Sequence, residues 1–313
     1  MRNKWIQKVL SLSALLAMTI VFSTASPALA AATTTVSLNG TLGSNGYWVS
    51  DVTVTLEATG NGVTLIEYSF DYWYTAQNYT APFTISGEGW YTLDARAWDS
   101  NGMGETVVAY FNIDLTPPTT SFSLIGGQLG NNGWYLSTPD VWMQGDDNVS
   151  SVNIPVEYSL NGGSSWQSFT GMAFPIGNEG ITTILAKSIN NAGILESPPA
   201  SIDVKIDQTA PVVTETVTPS QISSKKSGTM FNISYNGTAV DTFSGIYLVN
   251  TELIDEYGVY SQNLGANLSG TVSVERHYDS NDPDGRTYTF RLTATDLVGH
   301  QTTIDAVTTV TRH

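Results

Sequence analysis

Acidic side chains are the first residues of this sequence whose type and spacing suit chemistry at a site. Asp114 and Asp207 stand in matching phrases, each followed by a threonine two residues later, and Asp282 and Asp284 lie in a short acidic segment. Carboxylate oxygens are the ligands that Ca²⁺ prefers in proteins. These four aspartates are therefore predicted calcium ligands, although aspartate also caps turns without metal. The acidic segment does not form an EF-hand, because Arg291 stands where that loop requires glutamate.

Aromatic side chains form a second candidate site, which would act through ring contact. Tyr72-Trp73-Tyr74 interrupts a phrase that recurs ninety residues later with two glycines in the same place. Three rings at a loop tip would form an exposed apolar platform that stacks on a sugar or inserts into a partner protein. In the alternative, Trp73 folds inward and packs in the core as Trp166 does in the second copy.

Trp98 and Trp142 fall at positions that alternate away from the predicted core. The sister copies of the repeat have Ile189 and Thr53 there, so the repeat does not require tryptophan. An outward tryptophan marks a partner surface or packs against a neighbouring module or loop. The predicted ligand-binding residues are therefore Tyr72, Trp73, Tyr74, Trp98 and Trp142.

Catalysis is not predicted. Glu67 and Glu157 occupy equivalent places in successive copies, as do Glu88 and Glu179, and duplication favours a structural role. The sequence contains three histidines and no His-Glu-x-x-His, Gly-x-Ser-x-Gly or phosphate-loop phrase. We therefore predict a non-enzyme, while a pair of distant carboxylates, as in glycosidases, would leave no motif.

These candidates lie in a repeat of about ninety residues that occurs twice clearly and a third time in degenerate form. Tyr68 recurs as Tyr158 and Asp114 recurs as Asp207, at nearly constant spacing. This period is too long for a solenoid unit and suits a whole domain. The predicted divisions are a signal peptide at 1–30 and modules at 31–116, 117–208 and 209–313.

The pattern within each copy is that of β-strands. Residues 52–57 alternate apolar and polar side chains, as do 93–99, 184–190 and 290–296. Each of the last three segments precedes a glycine that suits a hairpin turn. The sequence therefore predicts an all-β chain of three tandem Ig-like or fibronectin-III-like β-sandwich modules after a signal peptide.

The N-terminus has the features of a secretory signal peptide. Arg2, Lys4 and Lys8 precede an apolar run, and small residues follow at 28–30. An uncleaved membrane anchor is the alternative.

The mature chain would be strongly acidic. Removing these three cations from 12 basic residues leaves nine against 28 acidic residues, a net charge near −19. We therefore predict a secreted, extracellular protein with no nucleic-acid partner and no membrane insertion after signal cleavage. The chain has no cysteine, so apolar cores must hold the modules.

Several short phrases carry a family resemblance. They are Glu67-Tyr68-Ser69, Asn161-Gly162-Gly163 with Trp166, Glu88-Gly89, and the Ala-x-Asp-x-x-Gly phrase that ends at Gly102. Over residues 35–208 the sequence resembles bacterial immunoglobulin-like repeats of the type first described in a leptospiral surface protein. The third copy resembles such modules only at its ends. The resemblance implies Ig-like sandwiches on secreted or surface proteins, often beside enzymes or adhesins.

The leading functional prediction is a secreted, non-catalytic protein that binds at the extracellular or cell-wall surface, with extracellular polysaccharide, cell wall or a surface protein as partner. The most specific version of this prediction is that the aromatic loop Tyr72-Trp73-Tyr74 contacts a glycan. Short, proline-restricted linkers predict a semi-rigid rod, so a passive spacer is one alternative. An accessory component of a polysaccharide-processing system is the other. No cofactor other than calcium is predicted.

Overall fold

The computed structural model describes residues 18–20, 31–152, 155–223, 228–276 and 285–311. Their regular structure is β-strand, apart from two 3-10 turns at Ser44–Gly46 and Asn131–Gly133. The all-β prediction is confirmed, and the strands form three successive pairs of sheets, which are tandem Ig-like or fibronectin-III-like sandwiches. The described residues include no helix long and apolar enough to span a membrane.

The first sandwich pairs a four-stranded sheet with a larger one. The four-stranded sheet has the order β1 (Met18–Ile20), β2 (Thr33–Asn39), β4 (Val52–Thr59), β7 (Phe83–Ile85). The larger sheet has the order β3 (Tyr47–Trp48), β10 (Val107–Ile113), β8 (Gly89–Asp99), β5 (Leu65–Ser69), β6 (Gln77–Asn78), with β9 (Gly102–Met103) beside β8. Of the predicted signal peptide, only β1 lies within the described residues, and the prediction remains untested.

The second sandwich repeats this arrangement. Its smaller sheet has the order β11 (Thr119–Ile125), β13 (Asp140–Asp146), β16 (Phe174–Pro175). Its larger sheet has the order β12 (Trp134–Tyr135), β18 (Ala200–Ile206), β17 (Gly180–Lys187), β14 (Glu157–Ser159), β15 (Gln167–Ser168). In both sandwiches the two-residue strand at the sheet edge pairs parallel to the last strand.

The third sandwich is built from longer strands. Its smaller sheet has the order β19 (Val212–Thr218), β21 (Met230–Val240), β24 (Ser269–Glu275). Its larger sheet has the order β20 (Gln221–Ser223), β26 (Gln301–Thr311), β25 (Arg286–Asp296), β22 (Ile246–Asp255), β23 (Gln262–Gly265). Its core contains Tyr288 and Phe290, both fully buried.

The described residues group into two compact units. One comprises the chain up to Phe122 with Met143–Gly171 and Leu185–Ser201, and the other comprises Ser123–Trp142, Met172–Ile184 and the described part of Ile202–His313. These limits pass through strands β11, β13, β17 and β18. The module boundaries expected from the sequence remain predictions.

The strand register preserves the repeat. Tyr68 on β5 lies opposite Ala95 on β8, and Tyr158 on β14 lies opposite Ala186 on β17. Leu93 and Ala95 are fully buried in the first core, so the inward positions predicted for this strand are confirmed. Because the register is shared, residues of the first two sandwiches can be compared place by place.

Candidate functional site

Two exposed rings lie on the outer side of β8 and β10 in the first sandwich, a surface that we call the aromatic face. Alternate residues of a strand point to opposite sides. Leu93 and Phe111 belong to the core, so Trp90 and Tyr110 point away from it. Trp90 is 69% exposed and Tyr110 is 74% exposed. Two such large rings close together on one sheet form an exposed apolar patch, which makes this surface a candidate binding site.

The two rings lie within reach of a common ligand. Trp90 is opposite Asn112 and Tyr110 is opposite Thr92, which makes the two aromatic residues diagonal neighbours on adjacent strands. Tyr47 meets Trp90 edge-on, with ring centroids 6.1 Å apart and an interplanar angle of 80°. This contact restricts the tryptophan ring, which lowers the entropy lost when a ligand binds.

The turn between β5 and β6 carries the three predicted aromatic residues. Tyr72 is 71% exposed and Tyr74 is 90% exposed. Tyr72 and Trp73 adopt left-handed backbone angles, with φ of 56° and 68°. The glycines in the same place of the second sandwich, Gly162 and Gly163, have φ of 65° and 86°. The first sandwich therefore keeps a glycine turn while filling it with aromatic residues, a strain that is typical of functional sites.

Side-chain hydrogen bonds hold this turn in shape. Asp71 Oδ1 accepts from Ser69 Oγ at 2.7 Å and from the Thr75 backbone N–H at 2.9 Å. Asn161 Oδ1 accepts from Ser159 Oγ at 2.8 Å in the second sandwich. The hydrogen bonds to Ser69 and Thr75 lower the pKa of Asp71. The turn is thus an ordered support for the exposed tyrosines.

Trp73 covers a charged pair and is partly buried. Its ring lies 3.9 Å from the Arg96 guanidinium carbon. Arg96 Nε donates to Glu67 Oε2 at 3.0 Å, and Trp98 Nε1 donates to the same oxygen at 2.7 Å. The Trp98 hydrogen bond, together with Arg96, lowers the pKa of Glu67 against the opposing effect of burial. Trp98 therefore also has a structural partner on this surface.

The second sandwich contains the same arrangement with a different tryptophan. The Trp166 ring lies 4.1 Å from Lys187 Nζ, and Lys187 lies 3.3 Å from Glu157. Trp73 thus takes the place that Trp166 has in the second sandwich, over the cation of the ion pair, and is not part of the core cluster of the first sandwich. The other predicted tryptophan, Trp142 on β13, is half-buried.

Asp114 lies in a closed hydrogen-bonded cluster. It is fully buried, and its Oδ2 accepts from Asn190 Nδ2 at 3.0 Å. The same nitrogen lies 3.1 Å from Asp147 Oδ2. Burial raises the pKa of Asp114, and the neighbouring charge of Asp147 adds to this effect. The Asn190 amide occupies the place between the two carboxylates where a bridging cation would lie.

Asp207 lies in a related cluster with a different donor set. Asp296, which corresponds to Asn190, is fully buried, and its Oδ2 lies 2.9 Å from His300 Nδ1. Asp207, Asp296 and His300 each offer one ligand atom, all within 4.8 Å of one another. Two carboxylates and an imidazole fit calcium poorly, because calcium takes six to eight oxygens, and suit zinc better. The predicted ligands Asp282 and Asp284 lie outside the described residues.

Zinc is expected to raise the Tm of the protein more than calcium does, because Asp207, Asp296 and His300 together suit zinc better. Each kcal/mol of metal-binding free energy should raise the Tm by about 2–4 °C. Thermal unfolding with each metal and with EDTA measures the effect. Asp296→Asn should abolish the zinc shift, because asparagine restores the amide found at position 190, whereas Asp114→Asn should keep it. An equal shift in both variants would exclude this site.

Comparisons with known proteins concern the fold. No family model and no curated protein matches the sequence. The structure is similar to part of a 1.5-MDa bacterial ice-binding adhesin, at 14% identity over 84% of this chain and 91% of that chain, with a TM-score of 0.33. Titin domains match at 10% identity over 91% and 100% of the two chains, with a TM-score of 0.37. Fibronectin(III)-like modules of Clostridium thermocellum CbhA match at 14% over 53% and 90%, with a TM-score of 0.24.

Sequence reasoning did not select Trp90 or Tyr110. The signal was nevertheless present, because the shared register sets Trp90 against Ile181 and Tyr110 against Asp203. Asp203 accepts a hydrogen bond from Thr183 at 2.6 Å, so the second sandwich has an ordinary polar pair where the first exposes a ring. The exposed rings are thus additions to the repeat rather than requirements of it.

Proposed function

We propose that this protein is an extracellular, non-catalytic binding protein that holds a glycan on the aromatic face of its first sandwich. The observation that carries the proposal is the exposure of Trp90 and Tyr110 as diagonal neighbours, at places where the second sandwich has Ile181 and Asp203. The apolar C–H face of a sugar ring packs flat on such rings and removes both surfaces from water.

The adjoining turn supports the same proposal. Tyr72 and Tyr74 are exposed on a turn whose backbone is ordered by hydrogen bonds to Asp71. The turn begins after Ser69, which lies opposite Asp94 on β8, and its exposed rings offer a ligand further apolar surface. We also propose that the repeats are of the leptospiral surface-protein type, because of the sequences around Glu67 and Glu88.

Co-sedimentation of the purified protein with insoluble cellulose, xylan, chitin and bacterial cell walls tests the proposal. We expect retention on at least one matrix, without release of reducing sugar. The variant that combines Trp90→Ile with Tyr110→Asp carries the residues of the second sandwich and should lose retention while it keeps its circular dichroism spectrum. Release of sugar by the parent would contradict a non-catalytic role. Absence of retention on every matrix would favour the passive spacer.

A further inference from the structure

Asp94 is a buried carboxylate on the aromatic face. It follows Leu93 and precedes Ala95, which both point into the core, so Asp94 points to the outer side. Its cross-strand neighbours are Ser69 on β5 and Val108 on β10. The residue is 5% exposed. It is one of the outer-side residues of β8, four positions along the strand from Trp90.

This carboxylate has no hydrogen-bond or ion-pair partner within the described part of the chain. The Ser69 hydroxyl beside it donates to Asp71 instead, at 2.7 Å. Arg96, two residues along the same side, is paired with Glu67 at 3.0 Å and covered by Trp73. Burial raises the pKa of Asp94. Because no described protein group donates to Asp94, its hydrogen bonds are completed from outside the protein, by water or by a ligand.

The second sandwich shows that the fold does not need this carboxylate. Leu185 stands in the place of Asp94, opposite Ser159 as Asp94 is opposite Ser69. A Cβ at Gly163, the place of Trp73, would lie 3.8 Å from Leu185 Cδ1. The position under the turn is thus apolar in the second sandwich and carries a carboxylate in the first. Asp94 is thus a departure from the repeat of the kind found at functional sites.

We infer that Asp94 accepts hydrogen bonds from hydroxyl groups of a neutral, hydroxyl-rich glycan whose ring face packs on Trp90 and Tyr110. This inference rests on the proposed function and names its ligand class. The Asp94 oxygens are not fully enclosed and keep a small contact with solvent, so a ligand can reach them. A carboxylate can accept from two adjacent hydroxyls, which gives it a geometric preference for a polyol.

A cationic ligand fits this site less well. The Arg96 charge two residues away is balanced by Glu67 at 3.0 Å, so Arg96 does not decide the ligand class. Asp94 is 5% exposed, and an amine would have to lose most of its water to reach it. Removing water from a charged group costs much more than removing it from a hydroxyl, so burial favours a neutral polyol.

Affinity electrophoresis of the purified protein in gels that contain hydroxyethylcellulose, soluble xylan, mixed-linkage β-glucan or chitosan tests the inference. We expect at least one neutral polysaccharide to retard the parent. Asp94→Leu should weaken that retardation about 10- to 100-fold, the loss expected for one charge-assisted hydrogen-bonding group. Asp94→Asn, which keeps the shape of the side chain, should also weaken it. Asp203→Asn is the matched control and should bind like the parent.

The outcomes separate this inference from the proposed function. If the Trp90→Ile/Tyr110→Asp variant loses binding while both Asp94 variants bind like the parent, the inference is wrong and the proposed function stands. Retardation by chitosan alone, abolished at about 0.5 M salt, would show that the ligand is a cation and would overturn the neutral class. If no polysaccharide retards the parent, both fail. Circular dichroism of each variant confirms that loss of binding is not loss of folding.

Discussion

Replacing Arg286 with leucine is expected to lower the free energy of unfolding by about 3–5 kcal/mol, the loss typical of breaking a buried ion pair. The Arg286 side chain is 2% exposed, and the Asp255 side chain is fully buried. Arg286 Nε donates to Asp255 Oδ1 at 2.9 Å, and Nη2 donates to Oδ2. The leucine variant leaves the Asp255 carboxylate buried without its cation. Urea unfolding monitored by fluorescence measures the effect.

The surroundings explain why this pair is tightly held. The rings of Tyr257, Tyr260 and Tyr288 lie 4.7–5.4 Å from the Arg286 guanidinium carbon. Burial raises the pKa of Tyr288 well above its usual value, so this ring remains neutral. The pair therefore lies in an aromatic enclosure that excludes water and strengthens its electrostatic attraction.

The stabilisation that the Arg286–Asp255 pair provides should depend on pH. Burial alone would raise the pKa of Asp255, but Arg286 and the backbone N–H groups of Tyr260 and Tyr257 outweigh it and lower the pKa. The stabilisation is therefore present above the ordinary pKa of an aspartate and is lost as pH falls through the lowered value. The difference between parent and Arg286→Leu should shrink on acidification. A double variant with Asp255→Leu should recover much of the lost stability; no recovery would contradict the account.

Replacing Glu215 with leucine is expected to raise the free energy of unfolding at neutral pH by about 1–3 kcal/mol. Glu215 on β19 is 8% exposed, and both its carboxylate oxygens are fully enclosed without a hydrogen-bond partner among the described residues. A Cβ at Gly237 would collide with Glu215 Oε2, so this glycine leaves the space that the carboxylate fills. Chemical denaturation of parent and variant measures the difference.

The pH dependence of the Glu215 effect has the opposite sign to that of Asp255. Burial raises the pKa of Glu215 above 4.5. The folded state therefore binds the proton more tightly, and the destabilisation is full above the raised pKa and vanishes below the ordinary one. The advantage of Glu215→Leu should fall as pH decreases through this window. Glu215→Gln removes the charge with little change in shape and should give a smaller gain that falls through the same pH window, because it is the parent that titrates. A leucine variant no more stable than the parent at neutral pH would contradict this view.

The strand framework could be predicted because period-two alternation and turn glycines are local signals. Leu292 and Ala294 on β25 are fully buried, as the third copy predicts. Gly102 and Gly193 have φ of 117° and 89°, as expected for glycines in the predicted turns. Duplication reinforced both signals, because each copy repeats the pattern of the other.

The site was only partly predictable, because its residues depart from the repeat rather than follow it. The loop around Tyr72 was selected because three adjacent rings replace glycines. Trp90 and Asp94 are isolated substitutions within an otherwise regular strand, and their exposure and burial depend on neighbouring strands. The pairing of Arg286 with Asp255 joins residues 31 positions apart in the divergent third copy, where no periodic pattern links them. Such contacts are decided by tertiary packing.

Trp90 and Tyr110 are the residues on which the proposed binding of a glycan depends. The most direct test of this dependence is the dissociation constant of the parent, and of the Trp90→Ile/Tyr110→Asp variant, for the same retained polysaccharide, measured by a co-sedimentation isotherm. We predict a loss of affinity of about 100-fold or more in a variant with an unchanged Tm, as expected when two buried aromatic contacts are removed. Equal dissociation constants would contradict the proposal and place the binding surface elsewhere on the chain.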